Sequence, residues 1–538
     1  MNKNKIVPNF VIFFLFLCFT FLYFKPLILN FSTFLPGNND ELHLTWAIYS
    51  LAEKLPASAT KLFTGNIFYP HPYSRSYGDP LITSSVIAKF SFLFSKEPII
   101  AFNINLIISQ IMLLYFSFLF LNLLTNNKKI AVLLSLIYGF SNIHLHYLHH
   151  INYFSIQWLP LTGYFLLKLR QTRKPIHIYL FFLSFVLQTL NSFLLGYFVV
   201  FLSLGLYFFD KEIKKCILKN LKHFLLALLI SFIILFPILS IYFQVSQHFN
   251  HVTPLTEVIH FSLSPEEIFT KFASPVLYLL TIFALISFFI TKKKNKKSLS
   301  FLLLLTISFI ISLGPALHWM KKTIKIPFHI PLPYLVLYYL IPGFKAIRVP
   351  SRWILMTGFL TTAFVSIELK NMALKHSKKI NAVLIFAFLL FLLIFKPFNS
   401  YSSIPQLQSY PPVYSWLEKQ TGNNIIELPI NTWGQGEASK KEALRMLYSL
   451  KHKKKLVNGS ASFTPPSYYE IVSLMKNNFP DEKTINTLKK MKIDYIILHK
   501  KEYEKLWLDK TEKKLTILNS IKSIDLIAEF DSDLVYKL

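Results

Sequence analysis

Long apolar runs, broken at intervals by short lysine clusters, dominate the first 397 residues of this chain. A membrane-spanning helix needs about 20 mostly apolar residues. Eleven runs are candidates: 9–30, 99–124, 130–143, 153–169, 178–193, 195–209, 223–243, 275–291, 298–315, 352–370 and 380–396. Every second connection between them is short and basic. These connections hold Lys128 and Lys129; Lys168, Arg170, Arg173 and Lys174; Lys211, Lys214, Lys215, Lys219 and Lys222; Lys292 to Lys297; and Lys375, Lys378 and Lys379. Cytoplasmic loops carry such an excess of positive charge, so the alternate connections 31–98, 144–152, 244–274 and 316–351 face outward. They are long and carry Pro, His, aromatic and acidic residues. The opening "MNKNKIVPNFVIFFLFLCFTFLYFKPLIL" has a basic start, an over-long apolar run and no small-residue cleavage site. It reads as a retained first span with a cytoplasmic N-terminus. "PLITSSVIAKFSFLF" is short for a span and reads as an interfacial or re-entrant helix.

The pattern changes after residue 398. "NNIIELPI", "KKLVNGSASF", "DYIILH" and "LIAEF" are strand-like, whereas "PPVYSWLEKQ", "SKKEALRMLYSLKHK" and "DEKTINTLKKMK" have helical periodicity. The expected architecture is therefore an α-helical polytopic membrane protein of about eleven spans (1–397, first extracytoplasmic loop 31–98). A small extracytoplasmic α/β domain (398–538) follows it.

Composition sharpens this picture. Hydrophobic residues make up 53% of the chain, with 54 Phe, and the mean hydropathy is +0.44. No soluble core hides that much apolar surface, so lipid must serve as solvent. The net charge of +30 lies in inter-span clusters, the pattern of membrane orientation rather than of nucleic-acid binding. Cys18 and Cys216 offer neither a disulfide framework nor a metal cluster.

Acidic residues are scarce, yet "PGNNDELHLTW" spends two of them, Asp40 and Glu41, just beyond the first span. The following "LHLTWAIYSLAEKL" reads as a helix at the membrane interface. Together with "NIFYPHPYSRSYGDP" (66–80), "HHINYFSIQWLP" (149–160), "IPGFKAIRVPSRW" (341–353), "PPVYSWLEKQ" and "KKLVNGSASFTPPSYYE", these features make the chain resemble the GT-C superfamily of membrane glycosyltransferases. The likeness is to a bacterial multi-span group within or near it and covers nearly the whole chain. It implies sugar transfer from a polyprenyl-phosphate donor to an extracytoplasmic glycan, lipid or protein, with the bacterial inner membrane as location. In that group the acid follows Gly directly; here "GNNDE" intervenes, leaving both Asp40 and Glu41 as candidates.

Such a transfer needs a base for the acceptor proton, and a partly desolvated carboxylate serves. Asp40 is the candidate base, with Glu41 or Asp79 in support. The departing lipid phosphate needs cationic donors, for which Arg is the preferred bidentate partner. Arginine is rare among the 57 basic residues, yet Arg75, Arg348 and Arg352 all fall in outward loops. They and Lys345 are the donor-phosphate candidates. The competing reading of "RVPSRW" is an anchor at headgroup level, with Trp353 in the aromatic belt. His71, His150 and Gln157 are candidates for the sugar or acceptor pocket.

His144, His146, His149 and His150 crowd one loop, but "HLHYLHH" follows no standard closed zinc spacing and has no cysteine partner. Some GT-C enzymes use a divalent ion and others none; Asp40 and Asp79 would be its ligands here. Asp79 in "YGDP" equally suits a turn. "SPEE" at 264–267 reads as a helix start, and the "NGS" triplet at 458 as a chance match to a glycosylation sequon. Two rival readings stand beside the enzyme. One is a lipid-linked-glycan transporter or flippase, which would place charges mid-membrane on broken helices, where these spans have almost none. The other is a non-catalytic envelope-assembly protein that keeps the fold.

Overall fold

Helices occupy all eleven apolar runs in the computed structural model, which describes residues 8–250, 252–292, 295–326, 328–329, 331–432, 434, 436–507 and 511–538. They are α1 (Asn9–Tyr23), α2 (Pro98–Thr125), α3 (Lys128–Gly139), α4 (Trp158–Thr172), α5 (Ile176–Thr189), α6 (Phe193–Phe209), α7 (Leu221–Phe249), α8 (Pro275–Ile290), α9 (Lys296–Ser312), α10 (Ile354–Lys375) and α11 (Ser377–Ile394). Among the described residues, five helical stretches are long and apolar enough to cross a membrane unaided. A sixth is reached if α6 and the helix Lys211–Lys219, bent by 101°, count as one. The basic start with Lys3 and Lys5, and Lys293 and Lys294 of the fourth lysine cluster, lie outside the described residues.

The chain divides into two compact units. The first comprises the described residues of Met1–Leu29, Leu106–Phe236 and Ser246–Asn399. Its central helix is α10, with 94% of its apolar window buried against α9, α8, α11 and α3. Glycines allow this close approach: a methyl group on Gly358 of α10 would stand 2.7 Å from Ile143, and one on Gly205 of α6 2.4 Å from Leu304 of α9. By contrast α7 and α11 bury 28% and 22% of their windows. They leave Phe232, Ile233, Phe236, Leu389 and Leu393 exposed. In water such patches drive association; in hydrocarbon they meet their own kind.

Between α3 and α4 the chain runs through short turns, whose carbonyls need partners where water is absent. His144 sits between the carbonyls of Gly139 (Nδ1, 3.1 Å) and Phe154 (Nε2, 2.9 Å). Gln110 donates to Gly139 O at 3.0 Å, Gln188 to Ser155 O at 3.0 Å and Asn191 to Asn152 O at 2.9 Å. "SPEE" forms the expected helix start, a capping box between Ser264 and Glu267.

The second unit comprises Asn30–Asn105, Pro237–Val245 and Ser400–Leu538. Its sheet holds β1 (Asn424–Leu428), β2 (Lys455–Leu456), β3 (Tyr495–His499), β4 (Asp525–Phe530) and β5 (Asp533–Lys537), in the order β4-β5-β3-β1-β2. β1 runs parallel to β2 and β3, and β5 antiparallel to β3. Ile425–Leu428 and Tyr495–Leu498 are buried at every position, as strands in the middle of a covered parallel sheet should be.

The unit cuts across the boundary expected at residue 398, because the first loop is hydrogen-bonded into the tail. Phe68 N and Tyr69 N donate to Asn458 O and Leu456 O, and Leu456 N donates back to Asn66 O at 2.7 Å. Phe68 packs edge-on to Tyr468 at 4.9 Å, and Tyr77 edge-on to Phe463 at 5.2 Å. Two of the stretches that carry the resemblance, 66–80 and 454–470, are thus each other's packing partners.

Candidate functional site

The helix expected after the first span runs over Asp40–Lys54 and opens on the acid pair. Glu41 is 2% exposed, and its Oε2 accepts from Asn39 N at 3.0 Å. A Cβ on Gly37 would stand 2.3 Å from Glu41 Oε1. The glycine three residues before Asp40 therefore makes room for the carboxylate of Glu41. Asp40 is only half-buried and sits where the first-turn amides favour a negative charge. Of the pair, Glu41 is enclosed and Asp40 is reachable.

One turn on, His43 is held neutral, its pKa lowered to about 4 by burial and then by the charge of Arg75, with a hydrogen bond to the Ser460 backbone opposing. Its position three residues after Asp40, on the same helix face, is the signal that could have found it.

Arg75 is not available to a donor phosphate. It is 3% exposed, and its guanidinium donates to Ala47 O at 3.4 Å, Asp79 O at 3.2 Å and Pro80 O at 3.4 Å. Burial lowers its pKa to about 10, against the pull of Tyr242 and Asp79. The side chain ties the loop to the Asp40–Lys54 helix because a buried guanidinium must find acceptors. Asp79 gives Arg75 its backbone carbonyl, and its own side chain is half-buried. His71 is joined through Nε2 to Ser467 Oγ at 2.8 Å, another tie between the first loop and the tail.

The remaining candidates belong to the first unit. Gln157 is 1% exposed and donates to Ser109 Oγ at 3.3 Å, which in turn is 2.9 Å from Ser155 Oγ. It braces the α3–α4 connection rather than lining a pocket. Arg348 lies 3.7 Å from Glu257 and over the ring of Phe261. Lys345 is exposed, 5.7 Å from the Tyr339 ring centroid.

Arg352 is different. NH1 donates to Tyr153 OH at 2.7 Å, and the guanidinium carbon lies 4.0 Å from the same ring's centroid. Tyr153 holds the fork rigid without neutralising it. His150 beside it has its pKa lowered to about 3, by burial and then by the charge of Arg352, with the neighbouring His149, His146 and Lys271 adding to the shift. Lys271 is itself lowered, by burial, with Glu267 opposing and Lys321 and Arg352 adding to the shift. Arg352 and Lys271 thus act on His150 from separate elements, with Glu267 acting on Lys271. Tyr153 lies inside the "HHINYF" stretch and Lys271 in the outward 244–274 loop; only the folded chain brings them to Arg352.

The tail holds a charge cluster that no sequence pattern signals. Glu427 is fully buried and receives Tyr414 OH at 2.7 Å and His499 Nε2 at 3.0 Å; His499 Nδ1 meets Asp533 at 2.8 Å. Arg445 bonds Glu442 at 2.7 Å and Glu502 at 3.2 Å and lies 3.6 Å from Glu427. Asn458 of the "NGS" triplet is 0% exposed and donates to Glu427 O and Glu442 Oε2, so it is no glycan acceptor. Among the described residues no group of three or more His, Cys, Asp or Glu is placed to hold a metal ion, and Asp40 with Asp79 forms no such set.

No family model and no curated protein matches the chain. Solved structures do. The apo oligosaccharyltransferase of Archaeoglobus fulgidus superposes with a TM-score of 0.55 at 11% identity, covering 94% of this chain and 72% of that one. The arabinofuranosyltransferase AftD from mycobacteria gives 0.56 at 13% identity, covering 98% of this chain and 41% of that one. Both are GT-C-type glycosyltransferases, and the fold of this chain is of that type. At these identities the likeness concerns the fold.

Proposed function

We propose that the chain is an integral membrane glycosyltransferase that moves a sugar from a polyprenyl-phosphate donor to an extracytoplasmic glycan, lipid or protein. In this reading it crosses a bacterial inner membrane about eleven times, with residues 398–538 outside. The observation that carries it is Arg352, whose guanidinium is held against Tyr153 by a 2.7 Å hydrogen bond and ring contact, with Lys271 as a second cation acting on the same His150, within a GT-C-type fold. Fold alone does not assign chemistry; the reading is supported by a fixed, partly exposed guanidinium suited to a phosphate.

The transfer requires a base and a partner for the leaving phosphate. Asp40, half-buried at a helix start, takes the proton of the acceptor hydroxyl as its oxygen bonds to the anomeric carbon. The bond from that carbon to the phosphate oxygen breaks, and the lipid phosphate leaves with the electron pair. Arg352 stabilises that charge, with Arg348 and Lys345 as outer cations. Glu41, fixed by Asn39 N and shaped around by Gly37, keeps the start of the helix in place. No step is routed through a metal ion.

The test uses the full chain in lipid with a panel of polyprenyl-phosphate sugars and crude membrane extract as the acceptor source. Release of free lipid phosphate is expected, falling about 10²–10⁴-fold in Asp40→Asn, the range for a lost general base. Absence of release from the wild type across the panel would sink the reading, and equal release from the mutant would remove Asp40 from its role.

A further inference from the structure

A cavity of about 360 Å³ lies in the first unit where four helices end together: α1 at Tyr23, α3 at Ile137 and Phe140, α8 at its start Ala273–Leu277, and α11 at Phe391–Lys396. In the topology proposed above this is the outer membrane face. Its wall is largely apolar. A space of this size lined by Ile, Leu and Phe gives water few of the two to four partners it needs and suits a hydrocarbon chain. Beside its α11 wall, Leu392, Leu393 and Ile394 are exposed as lipid-facing residues are.

The rim is polar and positive. α8 begins at Pro275 after Ser274, whose hydroxyl donates to Phe272 O instead of capping the helix. The first-turn amides of Val276 and Leu277 have no partner within a helix, and both residues line the cavity, as does exposed Lys396. A helix start and a lysine together form an anion site, and among the described residues no carboxylate lines this space.

We propose that this cavity binds an anionic phospholipid, one acyl chain inside and its phosphate between the α8 start and Lys396. One lysine and a helix's partial charge match the single charge of a phosphodiester better than the near-double charge of a phosphomonoester. The proposal uses the membrane reading of the bundle but not the transfer reaction, so a silent activity assay leaves it standing.

The test is thermal unfolding of the full chain in neutral detergent, titrated with phosphatidylglycerol or phosphatidylcholine. A saturable rise in Tm with phosphatidylglycerol alone is expected. Lys396→Gln should weaken its apparent affinity about fivefold, the worth of one lysine near an anionic surface. Ala273→Phe should fill the space and abolish saturation while leaving the lipid-free Tm near that of wild type. Equal responses to both lipids, or a Lys396→Gln response identical to wild type, would overturn the proposal. So would displacement of bound phosphatidylglycerol by a tenfold lower concentration of polyprenyl phosphate.

Discussion

Two arginines, Arg445 buried and Arg352 half-buried, show how differently one side chain can be used. Arg445 is enclosed by Glu442, Glu502 and Glu427, and it also donates to Pro429 O at 2.8 Å. Those carboxylates, Glu442 first, raise its pKa against the effect of burial. Arg352 is fixed by a tyrosine, and with Lys271 it helps hold His150 neutral, with the Glu267 carboxylate acting on Lys271. In the first cluster the guanidinium is met by carboxylates of the chain itself. In the second no carboxylate is bonded to Arg352 among the contacts that fix it, which is why it is the proposed phosphate partner. Balance, rather than burial, separates a structural charge from a binding one, because an uncompensated buried charge costs free energy that only a partner can offset.

Exchanging the two arginines for neutral residues should break this contrast most plainly. Arg445→Ala strands Glu442 and Glu427 in the interior and is expected to cost about 3–5 kcal/mol, the range for a broken buried pair, read by chemical denaturation. Arg352→Ala removes mutual repulsion, so its unfolding midpoint should stay near that of wild type. Donor turnover should fall roughly 10–100-fold, the worth of a lost charged hydrogen bond at about 1.5–3 kcal/mol. Should Arg352→Ala unfold the protein while Arg445→Ala does not, the assignment of roles is reversed.

A smaller effect is expected where the acid pair is shaped. Gly37→Ala puts a methyl group against the Glu41 carboxylate, and overpacking of this kind costs about 1–3 kcal/mol. Turnover should fall with it, since the start of the Asp40–Lys54 helix must shift. Glu41→Gln keeps the shape and should retain more activity than Gly37→Ala.

The Glu427–His499 contact makes tail stability depend on pH, with a sign fixed by two shifts. Burial pushes Glu427 up, but the hydrogen bond and charge of His499 and the charge of Arg445 bring it below its ordinary value. Burial and Arg445 push His499 down, but Asp533 and Glu427 raise it above its ordinary value. A lowered carboxylate stabilises above its unfolded pKa and loses that contribution as pH falls through the folded value; a raised imidazole stabilises below its unfolded pKa and loses it as pH rises through the folded value. Both contributions are present between about pH 4.3 and 6.5. Glu442, raised mainly by burial, works against folding at high pH and softens the acid side. Thermal unfolding should therefore show the second unit most stable near mildly acidic pH, and His499→Gln should flatten the loss on the alkaline side.

The sequence was most informative where the solvent dictates it. Long apolar runs are hard to disguise: helices stand at all eleven, and among the described residues five stretches, or six with the bent pair, are long and apolar enough to cross a membrane. The strand-like runs "NNIIELPI", "DYIILH" and "LIAEF" likewise hold β1, β3 and β4, whereas "KKLVNGSASF" yields only the two-residue β2, whose Leu456, with Asn458 beyond it, also bonds to the first-loop residues Asn66–Tyr69. Charges were harder to read. Arg75 and Gln157 looked like site residues because polar groups in outward loops invite that reading, yet each is consumed by nearby backbone or hydroxyl groups. Glu427, Arg445 and His499 lie on separate elements of the tail, and no spacing rule links them.

The least effect is expected at Lys345, which marks the edge of the contrast. It lies seven residues before Arg352 in the same family-like stretch and carries the same charge, so sequence alone ranks the two together. The folded chain does not. Lys345 is exposed, with its ammonium 5.7 Å from the Tyr339 ring centroid, where water and salt screen it. Lys345→Gln should change donor turnover less than about threefold, as exposed charges do, and that difference should vanish in 0.5 M salt. Arg352→Ala should keep most of its defect there, because a partly buried site is screened far less. A salt-resistant loss at Lys345 as large as that at Arg352 would mean that the phosphate sits farther out than the His150 cluster.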